Sequence, residues 1–227
     1  MNILIACEES QTVCNEFRKR GHLAYSCDIQ DCSGGHPEYH IKNDILRVIQ
    51  TPCIFSTMNG RVHYIEKWDM IIAFPPCTYL TVTGNRWFNE QKYGEKAIER
   101  IARRNAAINF FRVFANSNVE KIAIENPVGI MNTLYRKPDQ IIHPYYFAEN
   151  SDDKANNYEK RTCLWLKGLP KLTYDIKCEP PARYKAKSGK TMPKWYAQLW
   201  NEKPEERAKI RSKTPQGLAK AMAEQWG

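Results

Sequence analysis

Residues 1–30, MNILIACEESQTVCNEFRKRGHLAYSCDIQ, decide the fold class. Asn2-Ile3-Leu4-Ile5-Ala6 is an unbroken apolar run of the length of a buried strand. Residues 12–20 read as a helix, with Val13 and Phe17 four apart and Gly21 where a helix C-terminus is expected. Leu23-Ala24-Tyr25-Ser26-Cys27 is a second buried strand, closed by Asp28. The pattern continues outward: residues 69–74 and 121–124 are further strands, each soon followed by proline. Between them residues 95–116 carry apolar side chains at 97, 98, 101, 108, 111 and 114, as a helix does. Strands alternating with helices imply an α/β fold with a mostly parallel sheet and crossover helices.

In such sheets ligands bind beyond the carboxyl ends of the strands. The loops that begin there start at Cys7, Asp28, Pro75 and Glu125, and each opens near a residue capable of chemistry. In "FPPC", residues 74–77, a thiol follows two prolines that restrict the backbone. In "IENP", residues 124–127, a carboxyl group stands at an equivalent strand end. Cys77 and Glu125 thus make a candidate pair for covalent and acid–base chemistry.

The chain has 227 residues, 42% hydrophobic and 26% charged, enough for one large domain or for one domain with a small appendage. No apolar run is long enough to span a bilayer, and the first residues have neither the basic segment nor the cleavage site of a signal peptide, so the cytoplasm is the expected compartment. The eight cysteines contain no C-x-x-C pair. Cys27, Cys32, His36 and His40 are spaced compactly enough to bind zinc, but a polar loop with buried small residues is the preferred reading. Of the net charge of +9, residues 1–150 contribute +1 (17 Lys+Arg against 16 Asp+Glu) and residues 151–227 contribute +8 (17 against 9). A basic last third suits a polyanion partner. Residues 167–195, rich in Lys, Pro and Gly, read as irregular, and the segment from Thr214 as a helix with Leu218, Ala219, Met222 and Ala223 on one face.

Taken in order, these motifs resemble the DNA cytosine-5 methyltransferases, particularly short phage- and prophage-type members. "ILIACEESQTV" stands at the first cofactor motif, "SCDIQ" at the second and "KNDI" at the third. "FPPC" stands at the nucleophile motif, "IENP" at the acid motif, "EKRTCLWL" near the arginine motif and "TPQGLAKAMAEQW" at the terminal motif. The resemblance implies a Rossmann-like, S-adenosylmethionine-dependent methyltransferase fold with helices on both faces of the sheet. Residues 1–166 would form the catalytic and cofactor core and residues 167–205 a small basic DNA-recognition segment, with residues 206–227 returning to the core as a helix. Ala6, Cys7, Glu8, Ser10 and Gln11 would approach the methionine part of the cofactor, Asp28 with Ile29 the ribose, and Asp44 with Ile45 the adenine, and Phe74 would flank the cofactor. Cys77 would attack cytosine C6, Glu125 would hold N3 and the amino group, and Arg161, with Lys160 nearby, would position the base. Double-stranded DNA is the implied partner and S-adenosylhomocysteine the by-product.

The first motif departs from the family's glycine-rich pattern, since "ACEESQ" has no glycine. About 45 residues separate the strand at 162–166 from the terminal helix, too few for the separate recognition domain of larger members. Arg86, Trp87 and Phe88 in the loop TGNRWFNEQKYG therefore become candidates for stacking against bases or for packing over the nucleophile. Three other readings stand beside this one. They are an amino methyltransferase, a catalytically silent nucleic-acid-binding protein of the same fold, and a methyltransferase acting on RNA or free nucleotides.

Overall fold

The computed structural model describes residues 1–186 and 188–227. In chain order the elements begin with β1 (Asn2–Ala6), α1 (Thr12–Lys19), β2 (Leu23–Asp28) and β3 (His40–Lys42). There follow β4 (Cys53–Ser56), β5 (Val62–Ile65), β6 (Met70–Ala73), α2 (Glu90–Tyr93), α3 (Glu95–Ala115) and β7 (Lys121–Pro127). Then come α4 (Met131–Leu134), β8 (Gln140–Ile142), β9 (Thr162–Lys167), β10 (Arg183–Lys185), β11 (Thr191–Pro193), α5 (Lys194–Gln198), α6 (Pro204–Ser212) and α7 (Gln216–Trp226). Seven strands form one sheet in the order β3-β2-β1-β6-β7-β9-β8. Its strands pair in parallel except at β9, which runs against both β7 and β8. The strand order turns back on itself at β1 and β6, whose carboxyl ends open into a crevice.

Alternation along β1 distributes the core between the two faces. Leu4 and Ala6 point to the side filled by Phe111 and Phe114 of α3 together with Trp68 and Trp165. Ile3 and Ile5 point to the side covered by Val13 and Phe17 of α1 and by Leu218, Met222 and Trp226 of α7. Helices therefore cover both faces. The apolar face read from "TPQGLAKAMAEQW" is what docks α7 beside α1; its helix begins at Gln216 rather than Thr214. Each of its fully buried large side chains is worth about 1.5–3 kcal/mol.

Two short hairpins escaped the sequence reading. β4 and β5 pair by themselves and pack Phe55 and Ile65 against Tyr25 and Trp68. β10 and β11 also pair, and α5 and α6 follow, so the stretch read as irregular has a small ordered unit at its C-terminal end. Lys187, inside the basic segment expected to contact DNA, lies outside the described residues. Among those described, no helix is long and apolar enough to cross a membrane.

Candidate active site

The nucleophile loop is fastened from two sides. β6 and β7 are adjacent and parallel, with Ala73 opposite Ile124; β6 ends there, whereas β7 runs on to Pro127 against β9, so Glu125 is a paired strand residue just past the end of β6 and not, as the sequence suggested, the start of a loop. Asn126 Nδ2 donates to Pro75 O at 2.7 Å in a buried position. Leu80 N and Thr81 N both donate to Cys77 O, closing a tight turn around the thiol-bearing residue. Ile130 N then donates to Leu80 O at 2.8 Å, and Thr81 bridges to Gly129. The backbones approach so closely here that a Cβ on Gly129 would stand 2.1 Å from Leu80 O. From α3, Arg104 Nε donates to Tyr79 O at 3.0 Å, while its guanidinium lies over the Phe88 ring.

One cleft of about 1530 Å³ runs along the carboxyl edge of the sheet and joins Cys77, Glu125 and Arg161 to Cys7, Glu8, Ser10, Asp28 and Phe74. The loop after β1 reaches it despite having no glycine, because Cys7 (φ 60) and Gln11 (φ 55) take left-handed backbone themselves. Such conformations cost non-glycine residues about 1 kcal/mol or more each. Part of the compensation is visible. α1 lacks a side-chain cap at Gln11, and Glu8 supplies it instead, with Oε1 accepting from Val13 N at 2.7 Å and Oε2 from Cys14 N at 3.2 Å. Burial raises the Glu8 carboxyl to about 7, with the two N–H donors opposing the shift. Asp28 Oδ1 accepts from Gln30 N at 2.9 Å.

Five of the expected cofactor residues are not part of the cleft lining. Ala6 is fully buried in β1. Gln11 is buried and clamps the following loop, donating from Nε2 to His36 O and accepting His36 N on Oε1. Ile29 is 74% exposed. Asp44 caps a 3-10 turn by accepting from Leu46 N, close enough for its charge to act on Cys7 and Cys27. Ile45 is buried in the core. Motif position alone does not separate residues that face a cleft from those that hold up its walls.

The electrostatics couple the two central groups. Burial pushes the Cys77 thiol up and the Glu125 charge pushes it further, while Lys160 and Arg211 oppose both effects. Burial also raises the Glu125 carboxyl, against Lys160 and the Thr162 hydroxyl. Glu125 sits deep in the protein but at the cleft wall, with part of its surface accessible. Lys160 is anchored by a hydrogen bond from Nζ to Arg211 O at 2.9 Å. Arg161 is exposed at the rim. The sequence reading missed Arg211 altogether, because α6 has no motif and reaches the site only by chain folding.

The candidate zinc ligands have separate partners. His40 is fully buried, with Nδ1 2.8 Å from Ser26 Oγ and Nε2 2.9 Å from Gln30 O. Cys27 Sγ contacts Asn43 O, and His36 Nδ1 lies 3.1 Å from Glu38 Oε1. Among the described residues, no group of three or more His, Cys, Asp or Glu side chains is placed to hold a metal.

Across the cleft mouth the aromatic loop divides its roles. Phe88 packs under the Arg104 guanidinium of α3, with Arg100 also near its ring. Trp87 is 41% exposed and faces the cleft, with Arg86 over its ring and Tyr93 beside it. Lys96, Arg100 and Arg103 of α3 and Lys209 and Arg211 of α6 line the cleft together with Glu99, Glu205 and Glu206, and Arg103 pairs with Glu99.

No protein-family model matches the chain. No curated protein matches it either. Among solved structures it is similar to a protein encoded within an E. coli prophage and provisionally assigned as a DNA modification methyltransferase, at 12% identity and a TM-score of 0.42. The match covers 80% of this chain and 53% of that one, so the chain spans about half the length of the structure it matches.

Proposed function

We propose that the protein is an S-adenosylmethionine-dependent DNA cytosine-5 methyltransferase. The observation that carries this reading is the Asn126–Pro75 tie, which joins the loop bearing Cys77 to the strand bearing Glu125 at one edge of one cleft. The other half of that cleft suits the cofactor. Its volume of about 1530 Å³ leaves room for a nucleoside beside a base. Asp28 ends β2 with one carboxylate oxygen engaged by Gln30 N and the second available to a ribose diol, and Phe74 offers a flat apolar contact. Bound S-adenosylmethionine would supply an electrophilic methyl group on a sulfonium that leaves as the neutral thioether.

The chain's own residues account for the rest. Cytosine C5 is a poor nucleophile until C6 is substituted, so the Cys77 thiolate adds at C6. Glu125, its carboxyl raised by burial, donates its proton to N3 as the bond forms, which leaves C5 with the electron pair of a neutral enamine. Once C5 carries the methyl group, N3 returns its proton to Glu125, C5 loses its own proton to solvent, and the sulfur–C6 bond breaks to restore the thiolate. The tie at Pro75 keeps thiol and carboxyl in register through both proton transfers. A base in a duplex cannot reach Cys77, so the target must leave the stack, and Trp87 at the cleft mouth with the cations of α3 and α6 supports that substrate.

The test is to incubate the protein with methyl-labelled S-adenosylmethionine and, separately, duplex DNA, RNA and cytidine nucleotides. Label at C5 of DNA cytosine that disappears in Cys77→Ser supports the proposal. Label on an exocyclic amine, or no stable adduct with DNA containing 5-fluorocytosine, sinks it.

A further inference from the structure

The proposed chemistry asks Cys77 to become an anion beside Glu125, which is itself an acid. Burial and any charge on Glu125 both oppose formation of the Cys77 thiolate, so a cation held in the same cleft favours it. Two basic residues stand next to each other in the chain at this point, Lys160 and Arg161, and their burial and partners distinguish them.

β7 and β9 pair antiparallel, with Glu125 opposite Leu164 and Pro127 opposite Thr162. Directly opposed residues project to the same face, and faces alternate along a strand. Thr162 therefore shares a side with Glu125, and just before it Lys160 is half-buried in the cleft wall while Arg161 is exposed. The charge environment agrees. Lys160 and Thr162 act on Glu125, and Lys160 also acts on Cys77. Arg161 acts instead on Cys163 and His143.

Lys160 is also held. Its Nζ donates to the backbone carbonyl of Arg211 in α6. The preceding residues are fastened to the same C-terminal unit, with Trp195 Nε1 donating to Glu159 O, Arg183 paired with the Glu159 carboxylate, and the Tyr158 ring 4.8 Å from Trp195.

We infer that Lys160 is the positioning residue that balances Cys77 against Glu125, that the C-terminal unit holds it in place, and that Arg161 is left free to meet the substrate at the rim. This deepens the methyltransferase reading and rests on it for its purpose. The charged and titratable groups facing Lys160 are Cys77 from the nucleophile loop, Glu125 from β7 and Arg211 from α6. Tyr158, Glu159 and Arg161 flank it in the chain, and Arg183 neutralises Glu159.

The experiment follows alkylation of Cys77 by iodoacetamide across a pH series, with modification at Cys77 read by mass spectrometry of its peptide. It needs neither cofactor nor DNA, so it stands or falls apart from the methylation assay. Lys160→Met should move the alkylation midpoint up by about one pH unit, roughly tenfold slower reaction at a fixed pH below it. Arg161→Met should leave the rate within about twofold, and Lys160→Arg should restore most of the loss, since it keeps the charge. Circular dichroism of each variant identifies any that fails to fold, in which case Lys160→Gln replaces Lys160→Met. An unchanged midpoint in folded Lys160→Met or Lys160→Gln, an equal shift in Arg161→Met, or no rescue by arginine overturns the inference. A normal Lys160 effect on the thiol with no methyl transfer to any nucleic acid would leave it standing and remove the proposed function instead.

Discussion

Asn126 Nδ2 and Pro75 O are 51 residues apart in the chain and 2.7 Å apart in space, and this one buried hydrogen bond sets the thiol loop against the acid strand. Proline cannot donate from its nitrogen, so the carbonyl is the only backbone polar group Pro75 has to offer, and Asn126 takes it. The Asn126 Oδ1 atom is buried without a protein partner among the described residues.

Asn126→Ala removes the donor and leaves the Pro75 carbonyl buried and unpaired. The expected cost is about 1–3 kcal/mol in unfolding free energy, read by denaturant titration. Methyl transfer should fall more than stability alone explains, because Cys77 loses its register with Glu125.

Gly129→Ala should be severe for a surface-adjacent position. The added methyl meets Leu80 O at 2.1 Å, and the obstructing atom is backbone on a loop already fixed at Cys77 and Tyr79. Destabilisation of about 1–3 kcal/mol is expected, with faster proteolysis across residues 77–94 as the loop lifts. A melting temperature and digestion pattern equal to wild type would contradict the close approach.

Glu125→Gln should produce opposite effects on two readouts. The Glu125 charge raises the Cys77 thiol, so its removal favours the thiolate and speeds alkylation of Cys77. The same change takes away the carboxyl that gives N3 its proton, so methyl transfer should drop by about 10²-fold or more. Slower alkylation in Glu125→Gln would show that the two groups do not share an environment.

Glu8 predicts a pH dependence of stability. Its carboxyl lies at about 7 in the folded protein, against an ordinary value of 4.5, so the folded state holds this proton more tightly than the unfolded chain. The stability it contributes is fully present below about pH 4.5 and is lost as pH rises through about 7, by up to about 3 kcal/mol. Chemical denaturation at intervals over that window should show the decline, and Glu8→Gln should flatten it.

Trp87→Ala should weaken binding to DNA by about 1–3 kcal/mol with little change in melting temperature, because the ring is exposed at the cleft mouth and supports no core. Phe88→Ala should instead destabilise the protein, since its ring packs against Arg104 and Arg100 of α3.

Much of the architecture was legible because burial imposes local periodicity. β1, β2, β6, β7 and β9 announce themselves as apolar runs, and α1, α3 and α7 as apolar stripes at helical spacing. The mixed α/β class and the placing of Cys77 beyond the end of β6 follow from those patterns, whereas Glu125, expected to open a loop, stays in β7 because β9 pairs with it as far as Pro127. β3 and β8 were missed because three residues are too few to show a period. The hairpin β4–β5 hides among polar residues because its outward face carries Ile54, Val62 and Tyr64, which blurs the alternation.

What the chain determines alone is therefore the set of chemically able residues and the sheet edge to which they belong. Tertiary structure decided their company. It buried Ile45 and Gln11 in the walls, turned Glu8 into the cap of α1, and brought α6 from beyond residue 200 to anchor Lys160. Periodicity is a property of neighbours in sequence, whereas the state of a thiol depends on every charge within a few ångströms, whatever its distance along the chain.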